Sequence, residues 1–332
     1  MIKRGRGIGC NLYGVGYGFN RADHSAAMIE VADDGSMTVL TGACDIGQGS
    51  DTALCQIAAQ EMGISYDDVR IVSADTLYTP DALCTSASRQ TFVTGEAIRL
   101  AVADAKMYLL KLAAELLESP EEDLDIQDGI VFSKSNPESI QMPFATLAWE
   151  AHFRGKRFMG FAWYDNTTPD VEKGTSQGDA YATYIYATQV ADVEVDTETG
   201  DVTVVRVGAA HDVGRAIHPQ NIEQQIEGAV AQGMGYAIME EIVMKEGKTL
   251  TPSFAKFLIP TSKDVPEVNS YIVESYDPKG PFGAKGVGEG AIIPTAVAIA
   301  NAVYDAVGIR IYDLPITPEK VLAALAEKQN AQ

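Results

Sequence analysis

Two segments of this chain alternate apolar and polar residues with a period of two, which predicts β-strands. The first, AAMIEVADDGSMTVLTGACDIGQG, contains a turn at residues 33–36, and the second, TQVADVEVDTETGDVTVVRVGAAHDVG, contains one near Thr199 and Gly200. Because alternating stretches flank each turn, each segment is predicted to form a β-hairpin. The likeness of the two segments indicates a faint internal repeat.

A helical pattern follows each hairpin. The two sequences are DTALCQIAAQEMG and NIEQQIEGAVAQGMG, and a glycine, Gly63 or Gly235, is placed to end each helix. Further helices are predicted over about residues 95–118 and 292–307. The last helical pattern, TPEKVLAALAEKQ, has Thr317 as its N-cap and Pro318 at its first position.

Residues 150–182 show no clear periodicity and are predicted to be a long loop or crossover between two similar halves. The predicted fold class is α+β, with two similar subdomains of antiparallel hairpins plus helices, and with glycine-rich loops at helix N-termini. The predicted boundaries are residues 1–150 for the first subdomain, 151–182 for the crossover and 183–332 for the second subdomain.

Charge and composition exclude some classes of protein. The chain has 332 residues, with 46 acidic and 25 basic residues and a formal net charge of −21, which would repel nucleic acid. No signal peptide or membrane-spanning stretch is recognised, so the cytoplasm is the expected compartment. The four cysteines, Cys10, Cys44, Cys55 and Cys84, form no C-x-x-C pair. They are expected to be buried small apolar residues rather than metal ligands.

Four loops place small residues at or just before predicted helix starts. They are DIGQGSDT (45–52), TSASRQTFVTGEA (85–97), DVGRAIHPQNIEQQIEGA (212–229) and GAKGVGEGAI (283–292). A helix N-terminus offers unpaired N–H donors and the positive end of a dipole, which suit an anion. Glycine lets a ligand approach the main chain closely. Four such loops in one chain favour a large, phosphate-bearing ligand.

Glu289 is the one carboxylate in the stretch GPFGAKGVGEGAIIP, residues 280–294. The motif GVGEGA formally fits the dinucleotide fingerprint, but it follows loop-like sequence rather than a strand of a βαβ unit, which disfavours a Rossmann site. From the residues alone, two interpretations of Glu289 stay open. It is either a general base beside a ligand held by main-chain amides, or an ordinary acidic residue favoured by the start of a helix.

Taken together, the motifs resemble the molybdenum hydroxylase (xanthine oxidase) family. They are DIGQGSDT, SRQTFVTGEAI, HDVGRAIHPQNIEQQIEGAVAQGMGYAIMEE and AKGVGEGAIIPTAVAIANAVYDA, which occur in the order of that family. The resemblance is to the C-terminal half of the molybdopterin-binding subunit, so each predicted subdomain would be a molybdopterin-binding one. It implies a molybdenum–molybdopterin cofactor, expected in its cytosine dinucleotide form. It also implies hydroxylation of an electron-poor sp² carbon with oxygen from water.

The resemblance implies roles for individual residues. Glu289 matches the catalytic glutamate of the family, which takes up a proton during the reaction. The residues that match cofactor-contacting positions are Gly47, Gln48, Gly49, Ser88, Arg89, Gln90, Gln225, Gly286, Val287 and Gly288. Lys285 also fits the pattern, with a role in loop pairing rather than in catalysis.

Tyr13 lies in the stretch CNLYGVGYGF, interpreted as a glycine-rich loop that also contains Tyr17 and Phe19. The resemblance makes Tyr13 a candidate for the substrate pocket, and packing on the domain surface is the alternative. His211 and His218 flank Asp212 in sequence and suggest a metal site or a charge relay. Loop architecture is the preferred interpretation, because the resemblance implies no side-chain ligand to the metal.

The resemblance also implies partners and a substrate. Large subunits of the family usually hold both molybdopterin halves in one longer chain. This chain is therefore expected to assemble with a second molybdopterin subunit, an FAD-containing flavin subunit and an iron–sulfur subunit. The expected reaction converts nicotinate, a small heteroaromatic molecule, to 6-hydroxynicotinate. The alternatives are an aldehyde- or carbon monoxide-oxidising member of the family, and a non-catalytic subunit that closes over a cofactor held by its partner.

Overall fold

The computed structural model describes residues 1–330, which form two compact units. Unit 1 comprises Met1–Tyr13, Tyr184–Ser275 and Val287–Gln332, and unit 2 comprises Gly14–Thr183 and Tyr276–Gly286. Both units are discontinuous in sequence, whereas the predicted subdomains are continuous segments.

The helices and strands are numbered in chain order. The strands are β1 (Ile2–Gly14), β2 (His24–Val31), β3 (Met37–Thr41), β4 (Val69–Ser73), β5 (Leu124–Gln127), β6 (Ile130–Ser133), β7 (Gln141–Pro143), β8 (Met159–Asp165), β9 (Tyr184–Asp196), β10 (Val202–Asp212), β11 (Met244–Lys245), β12 (Lys248–Thr249) and β13 (Glu267–Val273). The α-helices are α1 (Ser50–Met62), α2 (Gly95–Leu117), α3 (Phe144–Phe153), α4 (Pro219–Ile238), α5 (Ile293–Val307) and α6 (Pro318–Asn330). This mixture of helices and mainly antiparallel strands confirms the α+β class.

Unit 1 is built on a four-stranded sheet in the order β1-β9-β10-β13. Strands β9 and β10 form the predicted second hairpin, with Gly200 in its turn at φ 83°. Strand β13 adds a parallel edge beside β10. Helices α4 and α5 pack on this sheet, and their apolar faces bury Ile226 and Ile299 against inward residues of the strands such as Val193 and Val207.

Three alternate glycines of β1 bring this strand against α5. A Cβ atom on Gly5, Gly7 or Gly9 would lie 2.2, 2.2 or 2.3 Å from the main-chain oxygens of Ala302, Ala298 and Pro294, respectively. No side chain fits at such a distance from main-chain atoms. The glycines therefore allow the main chains of strand and helix to touch.

Unit 2 contains a second four-stranded sheet, in the order β4-β3-β2-β8, and a three-stranded sheet, β5-β6-β7. Strands β2 and β3 form the predicted first hairpin. Helix α2 packs on β2 and β8. The close approach is at Gly160, where a Cβ atom would lie 2.0 Å from the main-chain oxygen of Ala101.

Strand β8 lies inside the segment that is predicted from sequence to be a long loop. It pairs with β2 along its whole length, from His24 opposite Asp165 to Glu30 opposite Met159. Its exposed face carries Phe161 and Trp163, which are 51% and 54% exposed. Because apolar residues occupy both faces of the strand, the alternation that would predict it is hidden.

Most predicted helix boundaries are confirmed. Gly63 ends α1 at φ 85°, with its N–H bonded to the Ala59 oxygen, and the Thr317 hydroxyl accepts a hydrogen bond from the Lys320 N–H in the first turn of α6. The prediction that Gly235 ends its helix is wrong, because α4 continues to Ile238. At Gly235 a Cβ atom would lie 2.7 Å from Pro260, so this glycine permits close packing inside the helix.

The expectation for the cysteines is wrong at three of the four positions. Cys55 is buried in α1, but Cys10, Cys44 and Cys84 are exposed. Cys10 lies on the face of β1 opposite the glycine row, and Cys44 and Cys84 lie in loops. Within residues 1–330, no helix combines the length and the apolar character needed to cross a membrane.

Candidate functional site

Glu289 lies in an exposed loop of unit 1 that leads into α5. The Tyr13 hydroxyl donates a hydrogen bond to Oε2 of Glu289. The Asn11 side chain, two residues earlier on β1, donates from Nδ2 to the Gly290 oxygen at 2.9 Å. Tyr13 and Asn11 are the last part of a strand, so the interpretation of this segment as a loop is wrong at these positions. The structure thus places the predicted base and the predicted pocket tyrosine in direct contact.

His211, Asp212 and His218 have structural roles. His211 is buried near the end of β10, and burial lowers its pKa to about 4. Asp212 accepts a hydrogen bond from the Gly214 N–H at 3.0 Å. His218 caps α4, with Nδ1 accepting from the Asn221 N–H at 3.2 Å. In the described residues, 1–330, no cluster of three or more His, Cys, Asp or Glu side chains could hold a metal ion.

The first candidate cofactor loop, in unit 2, is held together by its own side chains. The Gln48 oxygen accepts from the Ile46 N–H at 2.6 Å, and its nitrogen donates to the Ser50 hydroxyl at 2.8 Å. Asp45 accepts from the Gly47 N–H at 2.7 Å. Gly47 has φ 100°, and no atom lies within 4 Å of the position that its Cβ would occupy. The space beside the Gly47 Cα atom is therefore open to a ligand, while the Gly47 N–H is already bonded to Asp45.

The second candidate loop of unit 2 has an unusual backbone. Ala87 and Ser88 both adopt left-handed φ angles, 51° and 53°, a conformation that non-glycine residues rarely adopt. Gly286 packs on this loop so closely that a Cβ atom would lie 1.8 Å from the Ser88 oxygen. A π-helical turn, Gln90–Thr94, follows immediately before α2. Irregular backbone of this kind is frequent at functional sites.

Arg89 is completely buried, which the sequence does not indicate. Its Nε atom donates to Asp23 Oδ1 at 2.6 Å, and its two terminal nitrogens donate to the main-chain oxygens of Ala82 and His24, each at 2.5 Å. All three guanidinium nitrogens therefore bind protein oxygens. The predicted contact of Arg89 with a cofactor stays a prediction, and the structure shows this side chain shaping the loop.

Thr85 connects the two candidate loops of unit 2. Its hydroxyl donates to the Cys44 oxygen at 2.7 Å and accepts from the Cys44 N–H at 3.1 Å. The same hydroxyl accepts from the Gln90 side chain at 2.9 Å, and the Gln90 oxygen accepts from the Thr94 hydroxyl at 2.6 Å. Sequence reasoning missed Thr85, because nothing in a loop sequence shows which other loop it contacts.

The remaining predicted site residues lie in both units. Gln225 is half-buried on α4, and Val287 packs against the core of unit 1. Gly288 is exposed beside Glu289, and Lys285 is buried in unit 2. The structure brings Gly47, Gln48 and Gly49 together with Gln90 in unit 2 through Thr85, and Glu289 together with Tyr13 in unit 1.

Comparison with known proteins gives consistent findings. A family model described as "molybdopterin cofactor-binding domain" matches residues 1–266. The gamma subunit of the 6-hydroxypseudooxynicotine dehydrogenase complex of Paenarthrobacter nicotinovorans is 33% identical over 299 residues, which are 89% of this chain and 37% of that protein. The xanthine dehydrogenase molybdenum-binding subunit of Escherichia coli O157:H7 is 32% identical over 326 residues, 96% of this chain and 42% of that protein.

A solved structure is similar over almost the whole chain. Quinoline 2-oxidoreductase from Pseudomonas putida 86 superposes with a TM-score of 0.89 at 29% identity, covering 98% of this chain and 42% of that one. This chain therefore spans about two-fifths of the length of the relatives that it matches.

Proposed function

Because the chain belongs to the molybdenum hydroxylase family as a molybdopterin-binding subunit, we propose that it provides the base for hydroxylation of an N-heteroaromatic carbon. Glu289 is the proposed base. Nicotinate, hydroxylated at carbon 6, is the proposed substrate.

In the two candidate loops of unit 2, Gly47 is exposed and Ser88 is half-buried, so both are accessible to a pterin cofactor. The space beside the Gly47 Cα atom admits a ligand, and Thr85 fixes this loop relative to the one with Ser88 and Gln90. Gly47, Gln48, Gly49, Ser88 and Gln90 would hold the cofactor. When bound, it supplies the molybdenum oxidation–reduction chemistry and the oxygen that derives from water. The cytosine dinucleotide form is proposed with it.

The observation that carries the proposal is the setting of Glu289. A general base must be accessible to the reacting group and yet held in one position. The Glu289 side chain is exposed, while the Tyr13 hydroxyl binds its Oε2 atom and Asn11 holds the next residue of the loop. Glu289 would accept a proton at its carboxylate, and Tyr13 would orient that carboxylate.

The substrate class is supported by the names of the relatives. Quinoline, xanthine and 6-hydroxypseudooxynicotine, which appear in those names, all contain a nitrogen heteroaromatic ring. The names of two relatives, the gamma subunit of a dehydrogenase complex and a molybdenum-binding subunit, support assembly with other subunits. A second molybdopterin subunit, an FAD-containing flavin subunit and an iron–sulfur subunit are the proposed partners. The cytoplasm is the proposed compartment.

The test replaces Glu289 by glutamine in the assembled, cofactor-loaded enzyme. General base catalysis typically contributes about 10²- to 10⁴-fold, so Glu289→Gln should lower kcat by that factor without loss of molybdenum. Tyr13→Phe should lower kcat by about 10-fold, since it removes one hydrogen bond to a charged group. Glu327→Gln, an exposed position on α6, is the matched control and should retain full activity.

Steady-state rates with nicotinate, quinoline, xanthine and an aldehyde, measured alongside molybdenum content, complete the experiment. Near-normal turnover of Glu289→Gln would refute the catalytic assignment and favour a subunit that only closes over the cofactor. Turnover of the aldehyde alone would refute the proposed substrate class.

A further inference from the structure

A buried polar cluster lies behind the loop that carries Glu289, in unit 1. It consists of Gln189 on β9, His211 on β10 and Thr295 in the first turn of α5. These residues are 0%, 2% and 0% exposed. Burial of polar side chains costs free energy unless hydrogen bonds satisfy them. The hydrogen bonds of these three side chains therefore indicate the role of the cluster.

The hydrogen bonds of Gln189 fix the orientation of its amide. Its Nε2 atom donates to the main-chain oxygen of Ala291 at 2.7 Å, and its Oε1 atom accepts from the Thr295 hydroxyl at 2.6 Å. A reversed amide would place two acceptor oxygens against each other at Ala291. The second hydrogen of Nε2 is available to Nε2 of His211, which lies 3.2 Å away.

His211 must accept this hydrogen bond, because an amide nitrogen only donates. An imidazole that accepts at Nε2 carries its proton on Nδ1 and is neutral. Burial acts in the same direction, since it lowers the pKa of His211 to about 4. Near neutral pH, both hydrogens of the Gln189 amide are therefore in use.

Gln189 completes a set of side chains that holds three consecutive residues of the loop. Tyr13 binds the Glu289 carboxylate, Asn11 binds the Gly290 oxygen, and Gln189 binds the Ala291 oxygen. The three side chains come from the neighbouring strands β1 and β9. Through Thr295, Gln189 also connects the loop to α5.

We propose that Gln189 is a positioning residue, which holds Glu289 in its working place by fixing Ala291 two residues later. This inference rests on the proposed role of Glu289 as the base. A displacement of about 1 Å near a reacting group can cost on the order of 10²-fold in rate. Release of Ala291 should therefore lower kcat by about 10- to 100-fold while KM changes by less than about 3-fold.

The experiment compares Gln189→Met and Gln189→Glu in the assembled, cofactor-loaded enzyme between pH 5.5 and 8.5, with nicotinate and quinoline as substrates. Methionine keeps the approximate length of the side chain and removes its hydrogen bonds. Gln56→Met, in α1 of unit 2, is the control for a glutamine outside the cluster and should retain wild-type kcat.

The pH dependence separates positioning from packing. A carboxylate cannot donate to the Ala291 oxygen, but a protonated carboxyl can. The kcat of Gln189→Glu, relative to wild type, should therefore rise as the pH falls, whereas the ratio for Gln189→Met should stay low at every pH. His211 on β10 is a titratable side chain in direct contact with Gln189, and Tyr13 on β1 and Glu289 are titratable groups that hold the same loop. The first turn of α5 has no acidic residue.

Wild-type kcat for Gln189→Met at wild-type molybdenum content would overturn the proposal, and so would a kcat ratio for Gln189→Glu that stays as low as that for Gln189→Met at every pH. If Gln189→Met does not fold, Thr295→Val removes one bond of the cluster at constant shape. It should lower kcat in the same direction, and wild-type kcat for it would overturn the proposal. Failure of the proposed function is distinguishable, because Glu289→Gln would then be active whatever the Gln189 variants show.

Discussion

The ion pair between Arg89 and Asp23 should make a large contribution to the stability of unit 2. Both side chains are 0% exposed. Beyond its 2.6 Å contact with Arg89, Asp23 accepts from the Tyr17 N–H at 2.9 Å and from Asn166 at 3.4 Å through its other oxygen. Asp23→Asn keeps the shape of this site but leaves the Arg89 guanidinium buried without a counter-charge.

The expected magnitude follows from the cost of such a buried charge. Removing one partner of a buried pair typically destabilises a protein by about 3–5 kcal/mol. An unfolding entropy of about 2.1 cal/mol/K per residue gives about 0.7 kcal/mol/K for a chain of this length. Asp23→Asn should therefore lower the melting temperature by about 4–7 °C if the chain unfolds as one, and by more if unit 2 unfolds alone.

Differential scanning calorimetry or fluorimetry at neutral pH measures this effect. Glu150→Gln is the matched control, since it removes the acid of an ion pair in which Arg154 and Glu150 are 43% and 22% exposed. That change should cost less than about 1 kcal/mol. Equal melting temperatures for Asp23→Asn and wild type would show that the buried pair adds no stability, and the reasoning would be refuted.

Two further predictions concern titrating groups. Burial raises the pKa of the Cys55 thiol to about 11, whereas the hydrogen bond with Ser86 lowers that of the exposed Cys84 thiol. At pH 8, iodoacetamide should modify Cys84 and spare Cys55, and Ser86→Ala should slow the reaction at Cys84. Equal rates by mass spectrometry would contradict this. Folding favours neutral His211, whose pKa falls from an ordinary 6.5 to about 4, so stability should be lost as the pH falls through this range. The free energy of unfolding should drop by about 2–3 kcal/mol between pH 7 and pH 4.5 because of this histidine. Urea denaturation of His211→Gln should show a pH-dependent drop that is smaller than that of the wild type by this amount.

Local patterns were sufficient to predict much of the fold. The hairpins and the helices that begin at Gly95 and Pro318 have strong periodicity, with turn or cap residues at their ends. The pattern was insufficient where tertiary packing decides the outcome. Gly235 is a suitable helix terminator by itself, but the neighbouring Pro260 requires a glycine inside α4. Strand β8 has apolar residues on both faces, so its sequence lacks the signal of a half-buried strand.

The candidate site shows the same division. Glu289 stands out because glycines surround it, and Tyr13 because of its place in the motif order, but their contact joins residues 276 positions apart. No local signal encodes such a contact. Gln189 gives a weak signal in the sequence, because it is a polar residue on the buried face of a strand whose other buried residues include Ala187, Ala191 and Val193. The burial of Arg89 has no signal in the sequence, since arginine is ordinarily a surface residue.

The glycine row of β1 has a mechanical consequence for Glu289. Two residues of a strand advance by about 6.6 Å and four residues of a helix by about 6.0 Å, so the two repeats are nearly commensurate. Gly9, Gly7 and Gly5 accordingly pack against Pro294, Ala298 and Ala302, so the close contacts repeat in register along the strand and the helix. Sliding α5 along its axis by any fraction of that pitch would drive its side chains into the strand. The position of Glu289 along the helix axis, four residues before α5, is thus set by close packing that extends along β1 from Gly9 to Gly5.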